Sequence, residues 1–449
     1  MNRDLLAAAA PSWLAIESFP VRTKFDMLAI WVEANMNAIK AWCGRLPGRQ
    51  RRRRPEPDVH VCQNTVPLPM SAASSFRCRA GRWLALGVLL LTGCAADGVN
   101  KQGDRGLGEF PLSAAPAQTP PISTKTRAAF ARLGAGVNFG NMLDAPHEGD
   151  WGSRVQDGYP SMVRQAGFRH VRLPVRWSAH ASRDASAQID PAFMTRVDSV
   201  VDRLLAEGLT VVLDMHHYRQ LDGDRLDAGD VAVEHRDVKL RFLSMWRQIA
   251  EHFAGRSEQL WFELYNEPHG EQTAASWNDL ASRALHVVRA RNPERVVVIG
   301  PVQWNSARAL DDLVLPPDGN LVVTIHDYEP FPFTHQGAAW AGPASAHPSG
   351  VRCCNAQQRQ QIIEPLAVGA RWAERRGIPL WLGEFGSYGG PPTRPNDIAS
   401  RAEYTWLVRE AAQQRGIAWA YWEFDAGFGV YDPKTQQWRE PLRRALLGR

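Results

Sequence analysis

Two glutamates follow apolar runs at widely separated places in the chain. Glu267 comes after the run Trp261–Tyr265 and Asn266, with a proline behind it, and Glu384 ends the run Leu380–Gly383. Proline has no N–H and cannot continue a strand ladder, so Glu267 lies where a buried strand stops. One such glutamate often only caps the next helix. Two of them predict a carboxylate pair, which can cleave a glycosidic bond as acid and nucleophile.

Strand and helix patterns alternate from about residue 126 to the end of the chain. This alternation predicts an α/β fold, a single (β/α)8 TIM barrel that forms the catalytic domain over residues 126–449. A doubly wound open sheet is the alternative, but it needs a Gly-rich phosphate loop after an early strand, and the sequence has none there. The predicted strands are 134–139, 170–173, 210–214, 260–265, 295–299, 321–325, 380–383 and 417–422, and the predicted helices are 157–166, 191–207, 238–253, 273–291, 307–313, 357–376, 399–415 and 440–447.

Polar and aromatic side chains follow most of the predicted strands. In a TIM barrel these positions lie on one face, where the loops after the strands build the active site. Each residue alone also has a structural explanation, because an arginine can pair with an acid and a histidine or tryptophan can belong to the core. Their common position favours a functional rim. It comprises Asn138, Asn141, Trp151, Arg172, Trp177, His216, His217, Asn266, His326, Tyr328 and Trp422.

The N-terminal part of the chain has the layout of an export signal. A basic segment opens at Met70, and the apolar run Trp83–Leu91 that follows it is too short to span a bilayer. Leu91–Cys94 resembles a bacterial lipobox, in which Cys94 would carry the lipid; an internal buried helix is the alternative for the apolar run. We therefore expect a secreted, periplasmic or outer-membrane lipoprotein of a bacterium. The expected segments are 1–69 as upstream translation or a disordered region, 70–94 as signal peptide and 95–125 as a flexible linker.

Composition excludes several other classes of protein. The formal charge of +5 owes much to an arginine run at residues 49–54, so it predicts no nucleic-acid partner for the folded part. The six cysteines include no CxxC pair, which disfavours structural zinc, although adjacent Cys353 and Cys354 are either free or joined as a disulfide. We expect a monomer with no metal or organic cofactor, bound to a membrane only through its lipid.

The motifs taken together resemble glycoside hydrolase family 5, the cellulase-like retaining glycosidases, over roughly residues 133–447. The resemblance implies that Glu267 is the acid/base and Glu384 the nucleophile. It also implies substrate-binding roles for Arg172, His216, His217, Asn266, His326, Tyr328 and Trp422. The motifs that carry it are Gly136–Asn141, Arg172–Pro174, Asp214–His217, Asn266–Pro268, His326–Tyr328, Gly383–Gly386 and Tyr421–Trp422.

This resemblance implies a division of work between the two glutamates. Glu267 needs a raised pKa so that it starts protonated, whereas Glu384 stays ionised beside Arg172 and Tyr328. Asn266 is expected to donate to the sugar 2-hydroxyl. Indole faces are expected to hold the apolar faces of glucosyl rings, with Trp422 below the cleaved sugar. Trp304, Trp177 and Trp340 are weaker candidates for flanking subsites.

The function that these expectations favour is an endo-β-1,4-glucanase acting on cellulose or related β-glucans by double displacement. A mannanase, a β-1,3-glucanase and a xyloglucan-type hydrolase are alternatives within the same class. A glycan-binding lipoprotein without turnover is the alternative from another class. The loops Leu221–Asp237 and Gly337–Asn355 are expected to decide among these substrates, because loops vary on a fixed barrel.

Overall fold

The computed structural model describes residues 106–112, 120–342, 349–390 and 396–448. The predictions for residues 1–94, including the lipid attachment at Cys94, lie outside these described residues. Within them, no helix combines the length and the apolar character needed to cross a bilayer.

The predicted barrel is confirmed. Eight parallel strands, β1 to β8, pair in chain order, and β8 pairs with β1 to close the cylinder. The strands are apolar on both faces because helices cover the outside, as expected for a parallel sheet. Their bounds are β1 Ala135–Asn138, β2 His170–Leu173, β3 Thr210–Asp214, β4 Leu260–Glu263, β5 Val297–Ile299, β6 Leu321–His326, β7 Leu380–Glu384 and β8 Ala418–Tyr421.

Helices return the chain between successive strands, and their ends follow local sequence signals. Asp190 accepts a hydrogen bond from the Ala192 N–H at the start of one helix, where Pro191 takes the first helical position. Asn355 and Gln358 form a capping box at the start of the longest helix. The longer helices are Thr124–Ala131, Tyr159–Ala166, Pro191–Ala206, Val238–His252, Ala274–Arg289, Ala356–Arg376, Ile398–Gln413 and Glu440–Leu447.

Shorter elements fill the loops after the strands. One-turn helices span Arg219–Asp222 and Phe331–Thr334, and Val302–Asn305 forms a turn in which residues 303–305 have positive φ angles. 3-10 turns span Trp177–His180, His235–Asp237, Ala307–Asp312 and Ala339–Ala341, and a further one, Leu107–Glu109, precedes β1. A two-stranded hairpin, β9 (Tyr431–Asp432) and β10 (Gln437–Trp438), follows β8. Cys353 and Cys354 are joined as a disulfide in the loop after β6.

A helix that the sequence analysis did not predict, Thr124–Ala131, closes the bottom of the barrel. Phe130 packs against the lower core layer, which includes Trp261 and Trp381. Lys125 reaches Glu258 and Glu294, the acids just before β4 and β5. The N-terminal ends of the strands are therefore covered, and the cleft lies at the opposite end.

Part of the expected flexible linker is packed instead. Leu107 and Phe110 are buried in the main core cluster, and Arg283 donates to the backbone oxygens of both. Arg247 also lies over the Phe110 ring. Two apolar side chains and a guanidinium that satisfies backbone carbonyls hold residues 106–112 on the barrel. The expectation of a free linker is therefore wrong for these residues.

Candidate active site

Glu267 and Glu384 meet at the carboxyl end of the barrel. Oxygen atoms of the two carboxylates and a ring nitrogen of His326 all lie within 4.8 Å of one another. Glu384 is the last residue of β7, and Glu267 follows β4 by four residues. Glu384 is almost fully buried, whereas the Glu267 side chain keeps 22% of its surface exposed. The two carboxylates thus share one opening but differ in access to it.

Glu384 is held from both sides by hydrogen-bond donors. Arg172 Nη1 lies 2.6 Å from Oε1, and the Tyr328 hydroxyl donates to Oε2 at 2.8 Å. Burial raises the pKa of Glu384, while the charge of Arg172 and the Tyr328 hydrogen bond act in the opposite direction. Both donors prefer an ionised acceptor, so they favour the carboxylate form of Glu384.

Arg172 is fully buried and forms ion pairs with three acidic residues. Its guanidinium lies 2.6 Å from Glu263, 2.6 Å from Glu384 and 2.9 Å from Asp214. Such buried charge is tolerated because each N–H has an acceptor. Arg172 has no exposed surface, so the expectation that it binds substrate directly is wrong. It orients other residues that reach the cleft.

Glu267 lies beside a neutral histidine. Burial lowers the pKa of His326 to about 4, so its imidazole is uncharged near neutral pH. Its Nε2 faces the Asn305 amide, which donates to it at 3.3 Å. The ring hydrogen is therefore assigned to Nδ1, which donates to Glu267 Oε1 at 2.6 Å.

Burial raises the pKa of Glu267 to about 7, which exceeds the usual value for a glutamate. The nearby positive charges of His269 and Arg172 lower this pKa, and the negative charge of Asp214 raises it. Glu267 consequently keeps its proton below about pH 7. A partly exposed carboxylic acid beside an ionised carboxylate can act as a proton donor.

Asn266 has its amide orientation determined by Arg172. Its Oδ1 accepts from Arg172 Nη2 at 2.6 Å, which leaves the Nδ2 group as the free donor. The Asn266 backbone oxygen accepts from Asn305. The amide donor is thus available for a group bound in the cleft.

Two residues that the sequence analysis missed complete this centre. Glu263 lies inside the apolar strand β4 and forms two hydrogen bonds with Arg172. An acid within a buried strand is a sequence signal, because it requires a buried cation. Asn305 comes from a turn in which residues 303–305 all have positive φ angles. Its local sequence carries no comparable signal.

Trp422 directly follows β8, and its backbone N–H donates to the oxygen of Phe385, the residue after Glu384. Its ring stacks against His216 with an interplanar angle of 3°. His216 donates from Nδ1 to Asp214 at 2.8 Å, and burial holds its pKa well below the usual value. A Cβ atom at Gly140 would lie 2.6 Å from the Trp422 ring, so glycine is required there. The positions of the Trp422 and His216 rings are therefore fixed by their mutual stacking, by Asp214 and by the close approach of Gly140.

The remaining predicted residues divide between the rim and the core. Trp304 is 56% exposed and Trp340 is 67% exposed, so both can offer a ring face to a ligand. His217 is half-buried next to His216. Trp177 is fully buried and donates from its ring nitrogen to the Asp214 backbone oxygen. The expectation that Trp177 lines a subsite is wrong, because its ring belongs to the core.

Two groups of described side chains could in principle hold a metal ion. They are the carboxylate pair with His326, and Asp144 with His216 and His217. The guanidinium of Arg172 disfavours a cation at the first group. At the second, both oxygens of Asp144 already accept backbone hydrogen bonds. We assign a metal to neither group.

The family model for cellulase (glycosyl hydrolase family 5) matches residues 134–427, which contain the whole site described above. The chain belongs to glycosyl hydrolase family 5. Endoglucanase H of Acetivibrio thermocellus is 32% identical over 70% of this chain, and endoglucanase 3 of Fibrobacter succinogenes is 26% identical over 70%. The chain spans 33% of the first relative and 52% of the second.

Solved structures of this family match the barrel closely. An endoglucanase is 40% identical with a TM-score of 0.67, covering 72% of this chain and 100% of that chain. Cel5A of Thermotoga maritima in complex with mannotriose is 38% identical with a TM-score of 0.66, covering 71% and 99% respectively. The match therefore includes nearly all of each solved chain and a little over two thirds of this one.

Proposed function

We propose that the protein is a retaining endo-β-1,4-glucanase that cleaves cellulose or related β-glucans by double displacement. The observation that carries this proposal is the distance of at most 4.8 Å between oxygens of Glu267 and Glu384. Retaining glycosidases hold their carboxyl groups about 5–5.5 Å apart, whereas inverting enzymes leave about 6.5–9.5 Å for a water molecule. The short distance supports direct attack by Glu384.

In the first step, Glu384 attacks the anomeric carbon while Glu267 gives its proton to the leaving glycosidic oxygen. The bond from the anomeric carbon to that oxygen breaks, and a glycosyl ester forms on Glu384. This ester has no negative charge, so the pKa of Glu267 should fall. Glu267 then takes a proton from water as the water oxygen bonds to the same carbon. The ester bond to Glu384 breaks, so Glu384 is again a carboxylate and the sugar leaves with its original configuration.

The neighbouring residues have supporting roles in this proposal. Arg172 and Tyr328 keep Glu384 ionised, and His326 orients Glu267. The free amide of Asn266 donates to the sugar 2-hydroxyl, a hydrogen bond that strengthens in the transition state. His216 and Trp422 support the sugar that loses its glycosidic bond, and His217 and Trp304 contact its neighbours.

The stereochemistry of the first product tests the mechanism. Proton NMR of cellopentaose hydrolysis should detect the β-anomer first, with the α-anomer appearing only by mutarotation. Early α-anomer would indicate inversion and would overturn the proposal. A panel of carboxymethylcellulose, mixed-linkage glucan, mannan, β-1,3-glucan and xyloglucan would test the substrate, with reducing-sugar release as the readout.

Mannan is the second candidate substrate. Cel5A of Thermotoga maritima, which is 38% identical to this chain, has been solved with mannotriose and with cellobiose. A glycan-binding protein without turnover is a weaker alternative, because both carboxylates and their hydrogen-bond partners are present. Hydrolysis of any member of the panel would exclude it.

We further propose that the protein is exported and lipid-anchored through Cys94, with the barrel outside the cytoplasm. The supporting observation is the basic and apolar sequence that precedes Cys94. Expression of the full chain in a Gram-negative bacterium should give a membrane-associated protein that incorporates labelled palmitate. Cys94→Ala should abolish the label. Equal labelling of the parent and the variant would contradict this assignment.

A further inference from the structure

A charged loop after β3, residues 223–234, touches the walls of the cleft in two separate places. We call it the acidic loop. Asp230 lies 2.7 Å from Arg176, and Asp227 lies 3.2 Å from the same guanidinium. Arg176 has no exposed surface, and Asp230 keeps only 6% of its side chain exposed. The pairing is thus buried and well defined.

Arg176, held by these two aspartates, also contacts the exposed side chain of Trp151. Its guanidinium carbon lies 5.9 Å from the centroid of the Trp151 ring, within the range of a cation–π contact. Trp151 also meets His217 edge-on, with centroids 5.7 Å apart. The indole nevertheless remains 37% exposed. The Trp151 ring therefore contacts Arg176 and His217, and part of its surface is exposed to solvent.

Trp151 is the last ring in a series of ring contacts that begins at Trp422. Trp422 stacks on His216 at 5.3 Å, His216 meets His217 at 4.6 Å, and His217 meets Trp151. The series is joined to Glu384 through Asp214, which His216 contacts, and Arg172, which pairs with both acids. An exposed indole at its end resembles a subsite, because the axial C–H face of a β-glucosyl ring is apolar.

The other contact of the acidic loop lies toward Trp304. Asp224 is 3.2 Å from His269 Nε2, and His269 stacks under Trp304 with centroids 4.7 Å apart. Gly229, with a φ of 96°, packs so closely on Pro146 that a Cβ atom would lie 2.7 Å from it. The loop is thus attached to the segment after β1, to Trp151 through Arg176 and to Trp304 through His269.

We propose that Trp151 is a binding platform for a glucosyl unit remote from the cleaved bond, and that Asp230 and Arg176 are positioning residues for it. This inference rests on the proposed glucan hydrolysis. The acidic loop holds Arg176 in place, Arg176 fixes the plane of the indole, and the indole binds the sugar. The ligand class is a β-1,4-linked glucan chain long enough to pass His217 and reach Trp151.

The test measures the affinity for cello-oligosaccharides of increasing length by isothermal titration calorimetry. Glu384→Gln serves as the background in every protein so that the ligands are not consumed. Trp151→Ala should weaken cellohexaose binding by roughly tenfold and leave cellotriose binding within twofold of the background, because loss of a stacked ring removes apolar contact only for the longer ligand. Trp406→Ala is the matched control, because Trp406 is 45% exposed on an outer helix.

Asp230→Asn tests the positioning role with almost no change in shape. It should weaken cellohexaose binding by about threefold in the same background, and Asp230→Glu should restore part of the loss. Thermal unfolding of each variant would separate a local effect from loss of the fold. In the active protein, the same substitution should raise KM for cellohexaose without changing kcat.

Two results would overturn the inference. If Trp151→Ala weakened cellotriose and cellohexaose equally, Trp151 would act only through His217 and would not be a subsite. If Asp230→Asn left the dependence on ligand length unchanged while Trp151→Ala altered it, the positioning role of the acidic loop would be wrong. A background protein that binds none of these ligands would refute the proposed glucanase function itself, and the subsite with it.

Discussion

Arg172 and Arg176 are both fully buried and lie four positions apart, yet they hold different kinds of partner. The acids around Arg172 come from the ends of three strands, β3, β4 and β7. The acids around Arg176 both come from one loop. Strand ends are positioned by the whole barrel, whereas a loop is positioned mainly by its own contacts.

This difference between strand ends and loop implies that different residues determine bond cleavage and substrate selection. Moving any strand at the centre would disturb the closed sheet, so the geometry around Arg172 can change little among barrels of this kind. The acidic loop can change in length or charge without cost to the sheet. We therefore expect the centre to set whether a glycosidic bond is cleaved, and the rim to set which glycan is bound.

The largest expected effect comes from Glu384→Gln. Glutamine has no negative charge with which to attack the anomeric carbon, so kcat should fall by more than about 10⁴-fold. Binding of cellotetraose should stay within a few-fold, because Gln keeps the size of the side chain. Initial rates and calorimetry would measure both. Activity above one per cent of the parent would assign the nucleophile to another residue.

Glu267→Gln should have the next largest effect, about 10²–10⁴-fold on kcat for glucans. An aryl cellobioside with an acidic phenol as leaving group needs no proton, so its first step should be nearly as fast as in the parent. A burst of phenol followed by slow turnover would support this division of work. Equal loss on both substrates would contradict it.

The pH profile tests the same carboxyl group. Its pKa is raised to about 7, and the acid form is the active one in the first step. Activity on glucans should therefore fall as the pH rises through about 7, because Glu267 loses its proton. With the aryl cellobioside, whose leaving group needs no proton, the first step of the parent should show no such alkaline decline. A decline that persists unchanged would assign it to another group.

Arg172→Lys should reduce kcat by about 10²-fold and destabilise the fold. Lysine keeps the charge but cannot bridge three acids in one plane, so two buried carboxylates lose a partner. We expect a loss of about 3–5 kcal/mol in the free energy of unfolding, measured by urea titration. Arg295→Lys is the matched control, because Arg295 is buried at the far end and donates only to backbone oxygens and Asn292. A comparable loss of kcat in the control would show that the effect is not specific to Arg172.

The sequence predicts the catalytic residues at the strand ends better than the residues on the loops, because the strands have a clear local pattern and the loops do not. Every strand of the barrel could be located from its apolar run, and Asn266, Glu267 and Glu384 fall at or just after strand ends by simple continuation of the chain. Asn305 could not be found in this way, because three successive residues with positive φ angles bring it beside His326. No local residue pattern predicts such a turn.

Two predictions outside the catalytic residues, those for the linker and for Trp177, are wrong for a common reason. The sequence predicts a free linker at Leu107 and Phe110 because the segment has few apolar residues. Their burial depends on Arg283, which lies far along the chain and satisfies the carbonyl groups of the segment. Trp177 was misassigned for a related reason, since residue type cannot distinguish a rim indole from one whose ring nitrogen bonds to Asp214 below the rim.

The smallest expected effect comes from Trp304→Ala on the rim. The ring stacks on His269 and is otherwise exposed, so its loss should raise KM for cellopentaose by about three- to tenfold through lost apolar contact. The chemical step should change by less than about twofold, because Trp304 contacts neither carboxylate. Since Asn305 is its neighbour, Trp304→Phe provides the control, keeping a ring while shortening it. If kcat fell tenfold in Trp304→Ala but not in Trp304→Phe, loss of the Trp304 ring would affect Glu267 through Asn305 and His326. Substrate binding at the rim and the chemical step would then be coupled at Trp304.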